Sequence, residues 1–210
     1  MMDDFDKDSE VYENLGIIER QTKACRKIVA DLLKFSRQTG SAKVEVDLNE
    51  LIEEVLTVSE HNLNISHIRV VRRFGPGLPP IIGDAEKLRQ VFINLLNNSH
   101  HAMADGGEIS LTTAHDQASG EIIASVQDTG SGIAEEIKSK IFDPFFTTKE
   151  VGQGTGLGLS VTYGIIRDHG GSITVESPVQ DQETGQRRQG TAFHVRLPVA
   201  VEQKALNEEK

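Results

Sequence analysis

Gly152-Gln153-Gly154-Thr155-Gly156-Leu157-Gly158-Leu159-Ser160 is the stretch on which the reading of this chain turns. Glycine alternates with larger residues, and a helix is expected to follow from about Gly156 to Asp168, stopped by His169-Gly170-Gly171. Backbone N–H groups at a helix start form an anion site that the helix dipole reinforces. Two common phosphate loops are excluded by the letters. A Walker loop ends in Gly-Lys-Ser/Thr, and no glycine here is followed by Lys-Ser or Lys-Thr. The G-x-G-x-x-G spacing fails as well, because Leu159 stands where the third glycine should be. The cradle is of another type.

Working outward, Phe142-Asp143-Pro144-Phe145-Phe146-Thr147-Thr148-Lys149 lies just upstream. Its aromatics suit the anchored end of a loop that hinges at Val151-Gly152 and closes over phosphates, bringing Lys149 to a γ-phosphate. A solvated surface lysine is the alternative. Further upstream, Asp128 ends an apolar strand and opens Asp128-Thr129-Gly130-Ser131-Gly132-Ile133. A carboxylate there accepts a hydrogen bond from an exocyclic amine such as adenine N6, and the glycines let backbone approach a flat base. An Asx turn after a strand fits the same letters. Earlier still, Asn94-Leu95-Leu96-Asn97-Asn98 puts Asn94 and Asn98 on one helix face. Neutral amide oxygens complete an octahedral Mg²⁺ shell alongside phosphate oxygens and water. His101, one turn on, is a donor placed to reach a phosphate; asparagines that only satisfy nearby backbone are the rival. His61, His67, His100, His115, His169 and His194 have no metal-ligand spacing and read as surface residues.

The remaining elements follow from pattern. Tyr12 to Arg37 is helical, with Leu15, Thr22 and Val29 on one heptad position and Ile18, Cys25 and Leu32 on the other, a seam suited to a helical bundle. A helix lying on a neighbouring domain, with Ile17, Ile28, Leu33 and Phe35 widening the stripe, is the rival. Gln38-Thr39-Gly40-Ser41 ends it. Asp47-Leu48-Asn49-Glu50 is a capping box before a second helix. Ile68 to Phe74 reads as a strand, and Asp84 caps a helix running to about Met103. Glu108–Ala114 and Glu121–Asp128 form a hairpin, and a short helix covers Glu135 to Ile141. Strands Ser172–Ser177 and Thr191–Leu197 close the chain around a charged loop. The fold class is α/β: a two-layer sandwich, mixed sheet with helices on one face, preceded by an N-terminal helix.

Composition sets outer bounds. A net charge of -10 over 210 residues argues against a nucleic-acid surface, so no nucleic acid is expected as partner. Cys25 is the only cysteine, which excludes an intrachain disulfide and suits a cytoplasmic address. No apolar run approaches the ~20 residues that span a bilayer, and no signal peptide is visible. A membrane-anchored parent protein stays compatible with these facts.

The ordered segments resemble the catalytic ATP-binding domain of sensor histidine kinases, members of the Bergerat-fold (GHKL) ATPases. Asn94 to Asn98 is similar to the N box, Asp128 to Ile133 to the first glycine box, Phe142 to Lys149 to the F box, and Gly152 to Leu159 to the second glycine box. Gly190-Thr191-Ala192-Phe193 and Leu197-Pro198 resemble the family's final strand. The resemblance implies ATP and Mg²⁺ as cofactors, with Asn98 and supporting Asn94 on the metal and Asp128 reading adenine. Gly130 and Gly132 would line the base, Ile133 would be among the nucleotide-binding residues, and Thr191 would assist through water. Asn98, His101, Lys149, Phe146, Thr147, Thr148, Gly152, Gly154, Thr155, Gly156, Leu157, Gly158 and Leu159 would hold or act on the phosphates. Residues 12–40, through Arg26 to Arg37, resemble the second helix of the dimerisation and phosphoacceptor hairpin. Residues 1–11 are expected as an acidic disordered tail, 44–199 as the ATP-binding domain, and 200–210 as a C-terminal tail. No histidine precedes His61, so the acceptor histidine is expected on another segment, with a response regulator downstream and a homodimeric parent. A GHKL ATPase of the mismatch-repair, gyrase or heat-shock type, or a nucleotide-binding interaction module without kinase activity, is the alternative. Those ATPases need a water-activating acid in the Asn-bearing helix, where this chain has Gln90 just before Asn94 and Glu86 further back.

Overall fold

The structure is a computed structural model that describes residues 10–12, 14–19, 21–22, 26, 42–149, 154–180 and 186–200. It divides into two compact units, Met1–Gly40 with Ile141–Ser160, and Ser41–Lys140 with Val161–Lys210.

The larger unit is built on a five-stranded sheet in the order β2 (Ile68–Phe74), β4 (Gly107–Asp116), β5 (Glu121–Asp128), β9 (Thr191–Pro198), β6 (Ser172–Glu176). Only β2 and β4 run parallel, so the sheet is mixed. Ile122, Ala124, Val126 and Asp128 are buried along β5, and the residues between them are half-buried. That alternation gives one core face and one wetter face. On the wetter face Ser125 Oγ lies 2.8 Å from His194 Nδ1, and Arg196 reaches Asp116 and Glu121 at 3.8 and 3.5 Å.

Two long helices cover the core face. In α1 (Leu48–Ile65) the buried residues are Leu48, Leu51, Ile52, Val55, Leu56 and Leu63, one stripe at helical spacing. Each such side chain contributes about 1.5–3 kcal/mol by leaving water. Asp47 Oδ1 accepts from Glu50 N at 3.0 Å, the bond expected of the capping sequence. α2 (Ala85–Ala102) begins in the same way, with Asp84 Oδ1 accepting from Lys87 N at 3.2 Å. It buries Leu88, Val91, Phe92, Leu95, Leu96 and Ser99, and Ala102 at its end is half-buried.

Several expectations are corrected. The helix foreseen over Glu135 to Ile141 stops early, as α3 (Glu135–Lys138). Bonds of the tighter i to i+3 type flank it at both ends, Ile137 N to Ala134 O and Lys140 N to Ile137 O, and Ala134 supplies no side-chain cap. α4 (Gly158–Asp168) starts two residues later than foreseen because Gly156 has φ of +66°. Two small pairings went unforeseen: β1 (Val44–Val46) with β3 (Ile81–Gly83), and β7 (Val179–Gln180) with β8 (Arg187–Arg188). Ala200, assigned to the tail, donates its N–H to Pro80 O and is buried.

His169 is not a surface residue. It is buried at the end of α4, where Nε2 accepts from Asp84 N at 2.9 Å and Nδ1 lies 2.7 Å from Ile165 O. Burial pushes its pKa below the ordinary imidazole value; the Ile165 carbonyl opposes this, the Lys43 and Lys87 charges add to it, and Asp84 opposes it. A base with a depressed folded pKa is charged more readily in the unfolded chain, so its contribution is full above the unfolded value and is lost as pH falls below it. Thermal melts should therefore show stability dropping below about pH 6.5, and His169→Gln, which keeps a neutral acceptor, should flatten that slope. An unchanged slope would place the acid sensitivity elsewhere.

In the smaller unit residues 10–12, 14–19, 21–22 and 26 are helical, so helix begins inside the expected tail. Ile17 and Ile18 are exposed, and Thr22 Oγ1 donates to Ile18 O at 2.8 Å. The seam positions Cys25, Val29 and Leu32, the turn at 38–41, and the tails at 1–9 and 201–210 lie outside the described residues. Among the described residues no helix is long and apolar enough to cross a membrane.

Candidate nucleotide site

Asp128 is the last residue of β5, on the core face, paired in register with Ile109 on one side and Thr191 on the other. It is 3 % exposed. A carboxylate so placed needs donors, and it has three. Oδ1 accepts from Gly130 N at 3.0 Å and Thr191 N at 3.1 Å, and Oδ2 accepts from Ser99 Oγ at 2.9 Å. Burial pushes the Asp128 carboxyl above the usual range, and these three donors pull it back. The Gly130 bond is an Asx turn. The turn uses Oδ1, and Oδ2 accepts only from Ser99 among the described residues.

The glycine segment after Asp128 is held against the end of α2. Ser131 N donates to Ala102 O at 3.0 Å, and a Cβ on Gly130 would sit 2.6 Å from that oxygen. Thr129 Oγ1 accepts from Glu108 N at 3.0 Å. Farther on, Ile133 N donates to Ser177 Oγ at 2.8 Å, and Ser177 Oγ donates to Gly190 O at 2.7 Å. Thr191 follows directly and bonds Asp128 through its backbone N–H. Gly130, Gly132, Ile133, Asp128 and Thr191, singled out separately in the sequence, are brought together here.

Ser99 and Ser177 were missed. Ser99 left a signal: it continues the Leu88, Val91, Leu95 stripe, and a hydroxyl on the core face of a helix needs a buried partner. Ser177 left none, since its bonds join residues far apart in sequence.

Asn94, Asn98 and His101 lie on successive turns of α2. Asn94 Nδ2 donates to Thr162 Oγ1 of α4 at 3.3 Å, which orients the amide. Asn98 is half-buried, and among the described residues no group bonds its amide. Its oxygen is therefore a neutral ligand available to a hard cation. His101 is exposed, with Nδ1 2.5 Å from Asn97 O, which leaves Nε2 for a ligand. His100 is half-buried and lies 2.8 Å from Ser66 Oγ through Nε2, away from this set.

The other sequence-predicted residues belong to the smaller unit. Phe142 and Phe146 are half-buried, but Phe145 is 59 % exposed with φ of +67°, so it is no anchor. Thr147 and Thr148 are exposed, and Thr147 Oγ1 accepts from Lys149 N at 3.2 Å. Gly154 lies close to Thr147 and Lys149: a Cβ there would meet Thr147 Oγ1 at 2.9 Å. Gly156 packs on the Phe145 backbone, where a Cβ would come within 2.4 Å. Thr155 Oγ1 accepts from Leu157 N at 3.4 Å, Leu157 is buried, and Gly158 and Leu159 open α4. Gly152 lies outside the described residues.

The family model for histidine kinase-, DNA gyrase B- and HSP90-like ATPases matches residues 83–201, from the β3 end through the last strand. The chain belongs to that family. Within it the likeness is to sensor kinases. Sensor kinase CckA of Brucella abortus is 34 % identical over 92 % of this chain and 21 % of its own length. Sensor histidine kinase ZraS of Escherichia coli is 34 % identical over 93 % of this chain and 39 % of its own length. The solved catalytic domain of histidine kinase ThkA is 36 % identical, with a TM-score of 0.65 over 75 % of this chain and 96 % of that one. ThkA solved with the response regulator protein TrrA matches 95 % of this chain and 54 % of its own, with a TM-score of 0.72 and 30 % identity. The chain spans about a fifth to two fifths of the length of these curated relatives. It carries a sensor-kinase ATP-binding domain on the mixed α/β fold of that family.

Proposed function

We propose that this domain binds Mg-ATP and donates the γ-phosphate to a histidine carried on another segment, for onward transfer to a response-regulator aspartate. The observation that carries the reading is Asp128, buried, with Oδ1 fixed by two backbone donors beside the Gly130–Ile133 turn. An acceptor at that place suits the adenine N6 amine, and glycine backbone suits its flat face. The neutral amides of Asn98 and Asn94 suit Mg²⁺, which would neutralise charge on the phosphate oxygens. The Lys149 ammonium suits γ-phosphate oxygens, and His101 Nε2 would donate to them when the ring carries a second proton, since Nδ1–H is given to Asn97 O. The N-terminus of α4, with Gly154, Thr155, Gly156 and Leu157 before it, suits an anion. Thr147 and Thr148 offer hydroxyl donors, and Phe146 offers an apolar wall. Phosphoryl transfer is mostly positioning and charge neutralisation, so these residues are competent without an acid or base of their own.

Sequence and partners support the kinase reading over hydrolysis. The matched relatives named above are sensor kinases, and ThkA was solved with a response regulator. No histidine occurs in residues 1–60, so the acceptor would be supplied from elsewhere. The test is calorimetry with ADP and a non-hydrolysable ATP analogue, with and without Mg²⁺, on the parent chain and Asn98→Ala. Mg²⁺ should tighten the triphosphate in the parent; Asn98→Ala should lose that gain, about tenfold or more, and keep ADP binding without metal. A parent chain that binds neither nucleotide would overturn the proposal.

A further inference from the structure

Ser99 is fully buried on α2, one residue beyond the proposed metal ligand. Its only proton goes to Asp128 Oδ2, at 2.9 Å. A helical serine has a nearby alternative acceptor in the carbonyl one turn back, and this one uses the carboxylate on the neighbouring strand instead. Oδ1 of Asp128 already accepts from Gly130 N and Thr191 N, which fills both of its lone-pair directions. Oδ2 has two directions, and Ser99 takes one. A single acceptor direction is left for a ligand.

We propose that Ser99 is a positioning residue for adenine recognition, holding Asp128 ionised and rotated so that one lone pair of Oδ2 faces the base. The inference rests on the reading of Asp128 as the adenine acceptor. No charged side chain among the described residues acts on Asp128 from α2, β4, β9 or the glycine turn; its partners are two backbone N–H groups and this hydroxyl. Burial alone favours the protonated carboxyl, and a protonated Oδ2 meets the N6 amine donor to donor. The hydroxyl also ties the Asn-bearing helix to the strand that reads the base. A shift of α2 would therefore reach both ends of a bound nucleotide.

The experiment compares Ser99→Ala with the parent chain, using ADP and the diphosphate of purine riboside, which lacks the N6 amine. Binding is measured without metal from pH 5.5 to 8.5, and a thermal melt checks that the variant is folded. The parent should prefer ADP. Ser99→Ala should weaken ADP about tenfold at neutral pH, the factor of one hydrogen bond to a charged group, and leave the purine riboside diphosphate unchanged. The pH below which ADP binding fails should move up. Equal weakening of both ligands, or an unmoved pH profile with undiminished preference for ADP, would overturn the role of Ser99. A parent chain that binds both diphosphates equally would overturn the adenine reading itself, and the inference with it.

Discussion

Asp128→Asn is expected to abolish adenine-nucleotide binding while leaving the fold at least as stable as the parent at pH 7. The two halves of the result have one cause. Asp128 is buried and its pKa is raised by that burial. A carboxyl with a raised folded pKa favours the folded state most below its unfolded pKa, and that contribution is lost as pH rises through the folded value. At pH 7 the ionised group is thus a net liability to the fold. Asparagine has the same shape. Its Oδ1 still accepts from Gly130 N and Thr191 N, and its Nδ2 donates to Ser99 Oγ in place of the present bond. Toward the ligand the amide offers a donor where the N6 amine needs an acceptor. The loss there is about two orders of magnitude or more, since a mispaired donor is penalised beyond the missing bond. Calorimetry reads the first effect, and paired melts at pH 5 and pH 7 read the second. A variant that melts earlier than the parent at both pH values would mean that the three bonds to the carboxylate outweigh its burial.

Gly130→Ala is expected to damage fold and site together. The added Cβ would sit 2.6 Å from Ala102 O, 2.7 Å from Ala102 Cβ and 2.9 Å from Ala102 C. Two of these atoms are backbone at the close of α2 and cannot swing aside. Either the helix end or the glycine turn must move, at about 1–3 kcal/mol by the usual penalty for overpacking. Either movement strains the Ser131 N to Ala102 O and Gly130 N to Asp128 Oδ1 bonds. Gly164→Ala is the matched control: a Cβ there meets nothing within 4 Å, and the position lies inside α4. That change should raise stability by about 0.5–1 kcal/mol and leave nucleotide binding intact. Denaturant titration of the two variants should give shifts of opposite sign. A neutral Gly130→Ala would show that the turn at Asp128 yields more readily than its packing implies.

Features decided within a few residues were legible in the sequence. Asp47 and Asp84 cap the helices they were expected to cap, and β2 spans Ile68–Phe74 as its branched residues required. Asp128 stood out as a carboxylate ending an apolar strand beside two glycines, and the Asx turn that the same letters allowed is present in its bond from Gly130 N. What stayed hidden depends on contacts between distant segments. His169 looked like a surface residue because its partner, Asp84 N, is a backbone group 85 residues away that no letter reveals. The three-residue strands β1 and β3 are too short for alternation to declare them. Ser177 is ordinary until β6 and β9 are adjacent. Phe145 misled for the opposite reason: an aromatic invites a buried reading, yet it sits exposed in a left-handed conformation that only the folded turn imposes.

The Ser177 hydroxyl has a practical consequence for anyone who wants to alter this domain. By bonding Gly190 O it fastens the neck of the segment between β6 and β9, and the β7–β8 pairing adds a second fastening just beyond. Doubling the length of a segment closed at its base adds only about 0.6 kcal/mol of closure entropy. Sequence grafted between Gln180 and Arg187 is thus insulated from Asp128 by two sets of bonds. A fluorophore, an epitope or an affinity handle belongs there, between the exposed ends Gln180 and Arg187.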